Sequence, residues 1–217
     1  MRASTWSRNA VGGTTGAVWV VGELDYRLVR DLAWTSGATA DVALISTSGE
    51  EIGLTKVELP AGQRTFVMKL PEGEGLAPGE YALRARVWPR QDGLPLSDTG
   101  RVVVSPAPDA LGEGVLWRRG PSTGPQFLTT ADARFSRNER IRLEHPVATS
   151  GRASARLLDA RGQLLRVPVS VIERPDASGG FRWVVAEVAL APMAPGHYSL
   201  EVSVGAAKSQ TPFEVVP

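Results

Sequence analysis

The chain has 217 residues, a formal net charge of +1 at neutral pH and no cysteine. A charge this close to zero excludes a typical nucleic-acid-binding domain, which carries a large basic excess. Without cysteine there can be no disulfides, thiol catalysis or thiolate metal sites. No apolar run reaches the roughly 18 residues that a membrane helix needs, so we expect no membrane span in this segment.

Short segments of alternating polar and apolar residues fill the first half of the chain. This period of two predicts antiparallel strands that bury one face. Ser48-Gly49-Glu50, Pro60-Ala61-Gly62 and Gln91-Asp92-Gly93 are predicted to be hairpin turns. We expect residues 24–33 to be a loop with at most one helical turn. The predicted strands are residues 2–6, 17–24, 39–47, 51–59, 64–70, 80–88 and 100–105.

A segment with two prolines followed by two glycines, residues 105–114, separates this half from the second. Because the segment is short and contains proline, we expect restricted motion between the halves. Spacing between matching glycines predicts a small insertion in the second half near residues 175–180. The predicted strands of this half are residues 114–117, 140–145, 153–159, 163–172, 181–190, 197–205 and 208–215.

One eight-residue pattern occurs twice, as Leu76-Ala77-Pro78-Gly79-Glu80-Tyr81-Ala82-Leu83 and as Met193-Ala194-Pro195-Gly196-His197-Tyr198-Ser199-Leu200. Pro78 and Pro195 preset φ for a turn, and Gly79 and Gly196 can adopt the positive φ that a type II turn requires. An alternating strand follows each turn. The repeat predicts two domains of one kind, residues 1–106 and 107–217.

Tyr81 and Tyr198 resemble the tyrosine at the start of strand F in immunoglobulin-like and fibronectin-type sandwiches. The resemblance implies that each hydroxyl bonds to an upstream carbonyl. Seven strands in each half and no crossover helices also favour an all-β fold of two tandem antiparallel β-sandwich (Ig-like) domains. One larger sandwich is the alternative, which the repeat and the Pro-rich joint disfavour.

Candidate catalytic and metal-binding residues do not form recognisable motifs. His145 and His197 fall on different predicted strands, and there is no calcium-loop motif, so we expect neither metal nor cofactor. Ser122 lies in a Gly/Pro-rich loop that does not match the Gly-x-Ser-x-Gly pattern. Residues 12–16 are Gly-rich, but they lack the lysine and the following helix of a phosphate-binding loop, which predicts a hairpin tip. We therefore expect no enzyme activity.

The tryptophans offer the clearest candidate ligand site. Trp34, Trp88 and Trp117 fall in a loop, at a strand end and near the joint, where exposed indole rings could bind sugars. Trp19 and Trp183 alternate with apolar residues and are predicted to be buried or half-buried. Packing between the two domains is an alternative use of Trp88 and Trp117. If a platform for carbohydrate exists, at least two of Trp34, Trp88 and Trp117 must be exposed and coplanar.

Several arginines lie close together in the second half, interleaved with glutamates. This alternation of charge predicts a solvated strand face rather than an anion-binding cluster. The residues concerned are Arg134, Arg137, Arg140 and Arg142, with Glu139 and Glu144.

The chain as a whole resembles the β-sandwich segments that follow von Willebrand factor A-like domains in exported proteins of acidobacteria and similar soil bacteria. Residues 17–24, residues 119–127 and the two Ala-Pro-Gly-x-Tyr segments carry this resemblance. It implies a non-enzymatic extension of an extracytoplasmic protein, secreted or in the cell envelope, and assigns no site residues.

Three functional hypotheses follow. The first is a structural or interaction module whose partners are neighbouring domains of the same chain or another protein. A fixed interface containing Trp88 or Trp117 would make the module rigid. The second is a carbohydrate-binding pair, and the third is an accessory or catalytic fragment of a hydrolase.

Overall fold

β-Strands account for most of the computed structural model, which describes residues 1–25, 27–28, 31–72, 75–177 and 181–217. Strand makes up 61% and helix 2% of the chain, which confirms the predicted all-β class. Within these ranges no helix is long and apolar enough to cross a membrane. The chain divides into two compact units, Met1–Pro108 (unit 1) and Asp109–Pro217 (unit 2).

Unit 1 contains two antiparallel sheets, with strand orders β1-β2-β5 and β4-β3-β6-β7. A four-residue helix, α1 (Leu32–Thr35), precedes β3, and the Asp31 side chain caps it by accepting a hydrogen bond from the Ala33 amide. The strands are β1 (Arg2–Ala10), β2 (Gly13–Glu23), β3 (Ala38–Ser46), β4 (Glu51–Leu59), β5 (Thr65–Leu70), β6 (Gly79–Pro89) and β7 (Leu96–Val104).

Both sheets of unit 1 contribute side chains to one core. Val20 and Met68 come from the three-stranded sheet, and Leu44 and Leu83 come from the four-stranded sheet. Along β6 burial alternates as predicted, because Leu83, Ala85 and Val87 are buried while Ala82 and Arg86 are exposed. This alternation commits one face of β6 to the core and the other to solvent.

Unit 2 also contains two sheets, with strand orders β13-β14-β11-β8-β9 and β10-β16-β15-β12. Leu143, Val184, Leu200 and Phe213 are among the side chains that form its core. The strands are β8 (Val115–Arg119), β9 (Leu128–Thr129), β10 (Arg134–Ser136), β11 (Arg140–Val147), β12 (Ala153–Asp159), β13 (Val169–Pro175), β14 (Arg182–Ala189), β15 (Gly196–Val204) and β16 (Ala207–Val216).

The sheets are antiparallel as predicted, apart from the three-residue strand β10, which runs parallel to β16 at a sheet edge. Strands β9 and β10 were not predicted. They span only two and three residues, too few to show a period of two.

Two connections differ from their predictions. The segment 163–172 is not one strand: Leu164 bridges to Leu158, and only from Val169 does the chain pair with β14 in the other sheet. Pro168 lies at this crossing, where a missing amide does no harm to a ladder. Residues 60–62 likewise connect β4 to β5 in different sheets, so they do not form a hairpin turn. The predicted insertion includes Ser178–Gly180, which lie outside the described residues.

Matched core truncations test whether each repeat stabilises its own unit. Leu83→Ala and Leu200→Ala each remove a fully buried side chain two residues after the repeated tyrosine. We expect each to lower the unfolding free energy of its own unit by about 2–5 kcal/mol. Amide hydrogen exchange, resolved by unit, measures this. Equal loss of protection in both units from either substitution would contradict the division into two cores.

Candidate functional site

The repeated segments adopt the same structure in both units. The Tyr81 hydroxyl donates to the Ala77 carbonyl at 2.8 Å, and the Tyr198 hydroxyl donates to the Ala194 carbonyl at 2.8 Å. Both rings are half-buried, and burial raises the pKa of Tyr81 above its ordinary value of 10.0. Each tyrosine therefore ties the start of its strand to the chain four residues upstream.

The glycines of these segments do not sit in type II turns. Gly79 and Gly196 both have φ of +154°, far from the value near +80° that such a turn requires. Each is instead the first residue of its strand. Pro78 and Pro195 precede it in a bend, and the tyrosine hydroxyl supplies the closing hydrogen bond. The positive φ still favours glycine at both positions.

Trp34, one of the three rings of the predicted platform, is part of the core of unit 1. Helix α1 carries Trp34 inward, leaving 8% of it exposed. Trp88 and Trp117 are half-buried, so none of the three is fully exposed. Trp19 and Trp183 are buried, as predicted. Trp34 is therefore not available as an exposed ring for binding a sugar.

An open cavity of about 540 Å³ in unit 2 brings together several polar side chains. Its lining includes His197 and Ser199, which are alternate residues of β15, and Glu214 on β16. A nucleophile and its base must be within hydrogen-bonding distance of each other. Side chains two residues apart on a strand are separated by about 6.6 Å, and no hydrogen bond joins these three in the described structure. Among the described residues, this cavity therefore holds no hydrogen-bonded pair of serine and histidine.

Two residues that line this cavity, Asp132 and Arg134, form an ion pair. Arg134 donates to both carboxylate oxygens of Asp132, at 3.1 Å each. Burial acts to raise the pKa of Asp132, but the hydrogen bonds from Arg134 outweigh it and the pKa is lowered. The Asp132 carboxylate is therefore held in an ion pair by Arg134 and is not a free proton acceptor.

The arginine-rich segment is not the solvated face that its sequence predicts. Glu139 and Glu144 are both buried. Arg174 pairs with Glu144 at 2.7 Å, and Arg142 pairs with Glu187 at 2.7 Å. The Ser136 amide donates to Glu139 at 2.7 Å, and Arg118 is 3.6 Å from the same carboxylate. These partners allow both buried carboxylates to leave water. Other arginines of this segment have separate partners: Arg134 pairs with Asp132, and Arg137 donates to the Ala191 carbonyl.

A third buried carboxylate lies on β15. Glu201 is only 3% exposed, although its place in the alternating pattern predicts an outward residue. It accepts from Arg156 Nε at 2.6 Å and from Gln210 Nε2 at 2.9 Å. The Arg156 hydrogen bond is the main reason why the pKa of Glu201 lies below its ordinary value of 4.5.

The segment between the units is hydrogen-bonded along its length. Within unit 1, the Ser7 hydroxyl donates to the Ala107 carbonyl at 2.8 Å and the Thr14 hydroxyl to the Pro106 carbonyl at 2.9 Å. Within unit 2, His145 is fully buried and its Nδ1 donates to the Gly112 carbonyl at 2.7 Å. His145 therefore has a structural partner, and neither sequence nor spacing indicated it.

The remaining candidate motifs occupy turns. The tip of the β1–β2 hairpin is Val11-Gly12; of residues 12–16, predicted to form a hairpin tip, the last four belong to β2. Ser122 is exposed in the turn before β9. Among the described residues, no group of three or more histidine or acidic side chains could hold a metal ion.

No protein-family model matches the chain, and a comparison with curated proteins found no match.

Removing the tyrosine hydroxyls tests how much each hydroxyl-to-carbonyl hydrogen bond stabilises its unit. Tyr81→Phe and Tyr198→Phe should each lower the unfolding free energy of the affected unit by roughly 0.5–1.5 kcal/mol, the net contribution of one hydrogen bond. Chemical denaturation followed by unit-resolved hydrogen exchange measures the loss. Values near zero in both units would show that water replaces the hydroxyl without cost.

The lowered pKa of Glu201 predicts acid sensitivity of unit 2. A folded-state pKa below the unfolded value contributes stability that is present above about pH 4.5 and is lost as the pH falls through the folded-state value. Glu201→Gln should reduce the slope of unfolding free energy against pH between 6 and 3, leaving the part due to Asp132. Glu214→Gln, a carboxylate with no arginine hydrogen bond, is the control. Identical slopes for wild type and Glu201→Gln would contradict the assignment.

Proposed function

We propose that the chain is a non-enzymatic structural and interaction module: two Ig-like β-sandwiches in tandem that support or present a neighbouring domain of a larger extracytoplasmic bacterial protein. Its partners are then other domains of that protein or a separate protein. The resemblance to segments that follow von Willebrand factor A-like domains supports the context, and the hydrogen-bonded joint supports the mechanical role.

Strand order supports the Ig-like part of the proposal. Immunoglobulin constant domains place strands A, B, E and D in one sheet and C, F and G in the other. Taking the seven longer strands of unit 2 in chain order, the first, second, fifth and fourth share one sheet, and the third, sixth and seventh share the other. Unit 1 has the same arrangement, except that its fourth strand pairs with the third.

The hydrogen bonds along the joint are the observation that supports the mechanical role most directly. Ser7 and Thr14 bind the carbonyls of Ala107 and Pro106, and Gly112 accepts from His145. The Gly112 amide also donates to the Pro146 carbonyl at 2.9 Å, and Leu111 bridges to Val147. Only residues 108–110 lie between these attachments, and one of them is proline. Little backbone freedom is left for independent motion of the two units.

Nuclear magnetic relaxation of amide ¹⁵N nuclei tests the stiff joint. In the wild type we expect both units to show one rotational correlation time, that of the whole 23.1 kDa chain. The variant Thr14→Ala/Pro106→Gly/Pro108→Gly removes one attachment and both prolines, and should give shorter correlation times that differ between the units.

The matched control is Ser122→Ala/Pro121→Gly/Pro125→Gly, which makes similar changes in an exposed turn of unit 2 and should behave as the wild type does. Two separate, shorter correlation times in the wild type would overturn the proposal of a stiff tandem module.

A further inference from the structure

The outward side of the five-stranded sheet of unit 2 places two arginines directly opposite each other. Arg119 on β8 and Arg140 on β11 are register partners. Their side chains therefore leave the same side of the sheet, from Cα atoms about 4.5–5.5 Å apart. In the ranges that the structure describes, neither guanidinium has a hydrogen bond or an ion pair. We call these two residues the arginine pair.

The acidic side chains on this side of the sheet are bound to other arginines. Glu187 accepts from Arg142 at 2.8 Å, and Glu144 accepts from Arg174 at 2.7 Å. Along the five strands, these four residues and the arginine pair are the charged residues whose register places them on the outward side. The arginine pair therefore keeps two positive charges that no carboxylate of this side neutralises. Like charges directly opposite each other destabilise a sheet, which an anion bound between them would reverse.

The Phe127 ring orients one member of the pair. The guanidinium carbon of Arg119 is 4.9 Å from the centroid of this ring, and that of Arg142 is 4.0 Å from it. A guanidinium that packs on an aromatic ring uses its face, so the N–H donors in its plane stay available. Arg119 is thus held in place with free donors beside Arg140. Because this side chain is already ordered, little rotamer freedom is lost when it binds a ligand.

A depression of about 270 Å³ lies next to the exposed Arg140. Pro168, Ser170 and Pro192 line it, together with the paired Glu187. The depression leaves room beside the arginine pair for an organic group attached to a bound anion.

We propose that the arginine pair binds a phosphate group, either free or as the monoester of a small organic molecule that occupies the depression. A phosphate monoester is nearly a dianion at neutral pH and has three strong acceptor oxygens. It therefore matches two positive charges and two sets of guanidinium donors. A carboxylate is a poorer match, because it has one charge and two oxygens, which a single arginine can bind.

Phosphate binding goes beyond the support role and does not depend on the stiff joint. The arginine pair and the depression belong wholly to unit 2, so binding would persist if the two units moved independently. Loss of phosphate binding with a single rotational correlation time, or the reverse, distinguishes failure of one proposal from failure of the other.

Nuclear magnetic resonance titration of the full ¹⁵N-labelled chain tests the proposal, with inorganic phosphate, glucose 6-phosphate and acetate as separate probes. Both phosphates should cause saturable shifts of backbone amides in β8 and β11 and of the Nε–H groups of the arginine pair. Added sodium chloride should weaken binding. Tighter binding of glucose 6-phosphate than of inorganic phosphate supports a monoester as the ligand, and the opposite order supports free phosphate.

The variant Arg140→Gln should weaken phosphate binding about tenfold, because a hydrogen bond to a charged group is lost. The double variant R119Q/R140Q should show no saturable binding. Without phosphate, Arg140→Gln should unfold at the same or a higher denaturant concentration than the wild type, because it removes a like charge. A merely structural role of Arg140 predicts the opposite.

The matched control is Arg152→Gln/Arg161→Gln, which removes two exposed arginines of unit 2 that lie outside its strands. This control should bind phosphate as the wild type does. Should R119Q/R140Q fold poorly, Arg140→Gln alone keeps the test, because the Arg140 guanidinium has no partner in the described part of the chain. Acetate binding as tightly as phosphate, no saturable response to either phosphate, or unchanged affinity of Arg140→Gln would overturn the proposal.

Discussion

The register of β6 and β15 is the constraint on which the rest of each unit depends. Both are inner strands with a partner on either side, and both begin at a glycine beside a tyrosine whose hydroxyl is bound upstream. A slip of one residue in β6 would carry Arg84 and Arg86 into the core and Leu83 and Ala85 into water. The tyrosine hydrogen bond fixes the strand where such a slip would begin. Burial of Leu83 and Ala85 and the outward position of Arg84 and Arg86 are therefore two results of one register.

The units differ in where the chain crosses from one sheet to the other. The crossing that differs is the one on either side of the fourth strand. In unit 1 the chain changes sheet after the fourth strand, at Pro60, and in unit 2 it changes sheet before the fourth strand, near Pro168. Proline suits both places, since its missing amide cannot be used in a ladder. The fourth strand extends the sheet that carries the repeated tyrosine in unit 1 and extends the opposite sheet in unit 2. As a result β4 adds an edge strand next to β3 in unit 1, and unit 2 has no corresponding strand next to β12.

Sequence reasoning predicted the strands that alternate over six or more residues, including β4 and β12 with their observed bounds. Sequence reasoning failed where the spacing of apolar residues gives no information about secondary structure. Residues 163–168 do not alternate, because Leu164 and Leu165 are adjacent. Strands β9 and β10 are too short to show a pattern, and Trp34 lies on a single helical turn. Glu201 and Glu144 alternate as solvent-facing residues do, yet Arg156 and Arg174 cover them. Such partners lie about 30 or more residues away along the chain, so no local pattern could indicate them.

The hydrogen bonds along the joint divide its residues into two kinds. Ala107, Pro106 and Gly112 take part through backbone atoms, whereas Ser7, Thr14 and His145 take part through side chains. Every amino acid has a carbonyl, but few have a hydroxyl or an imidazole. Among related chains, the joint could therefore vary in sequence while the strands on either side of it kept these donors. The stiffness of such a joint would be encoded mainly outside the residues that form it.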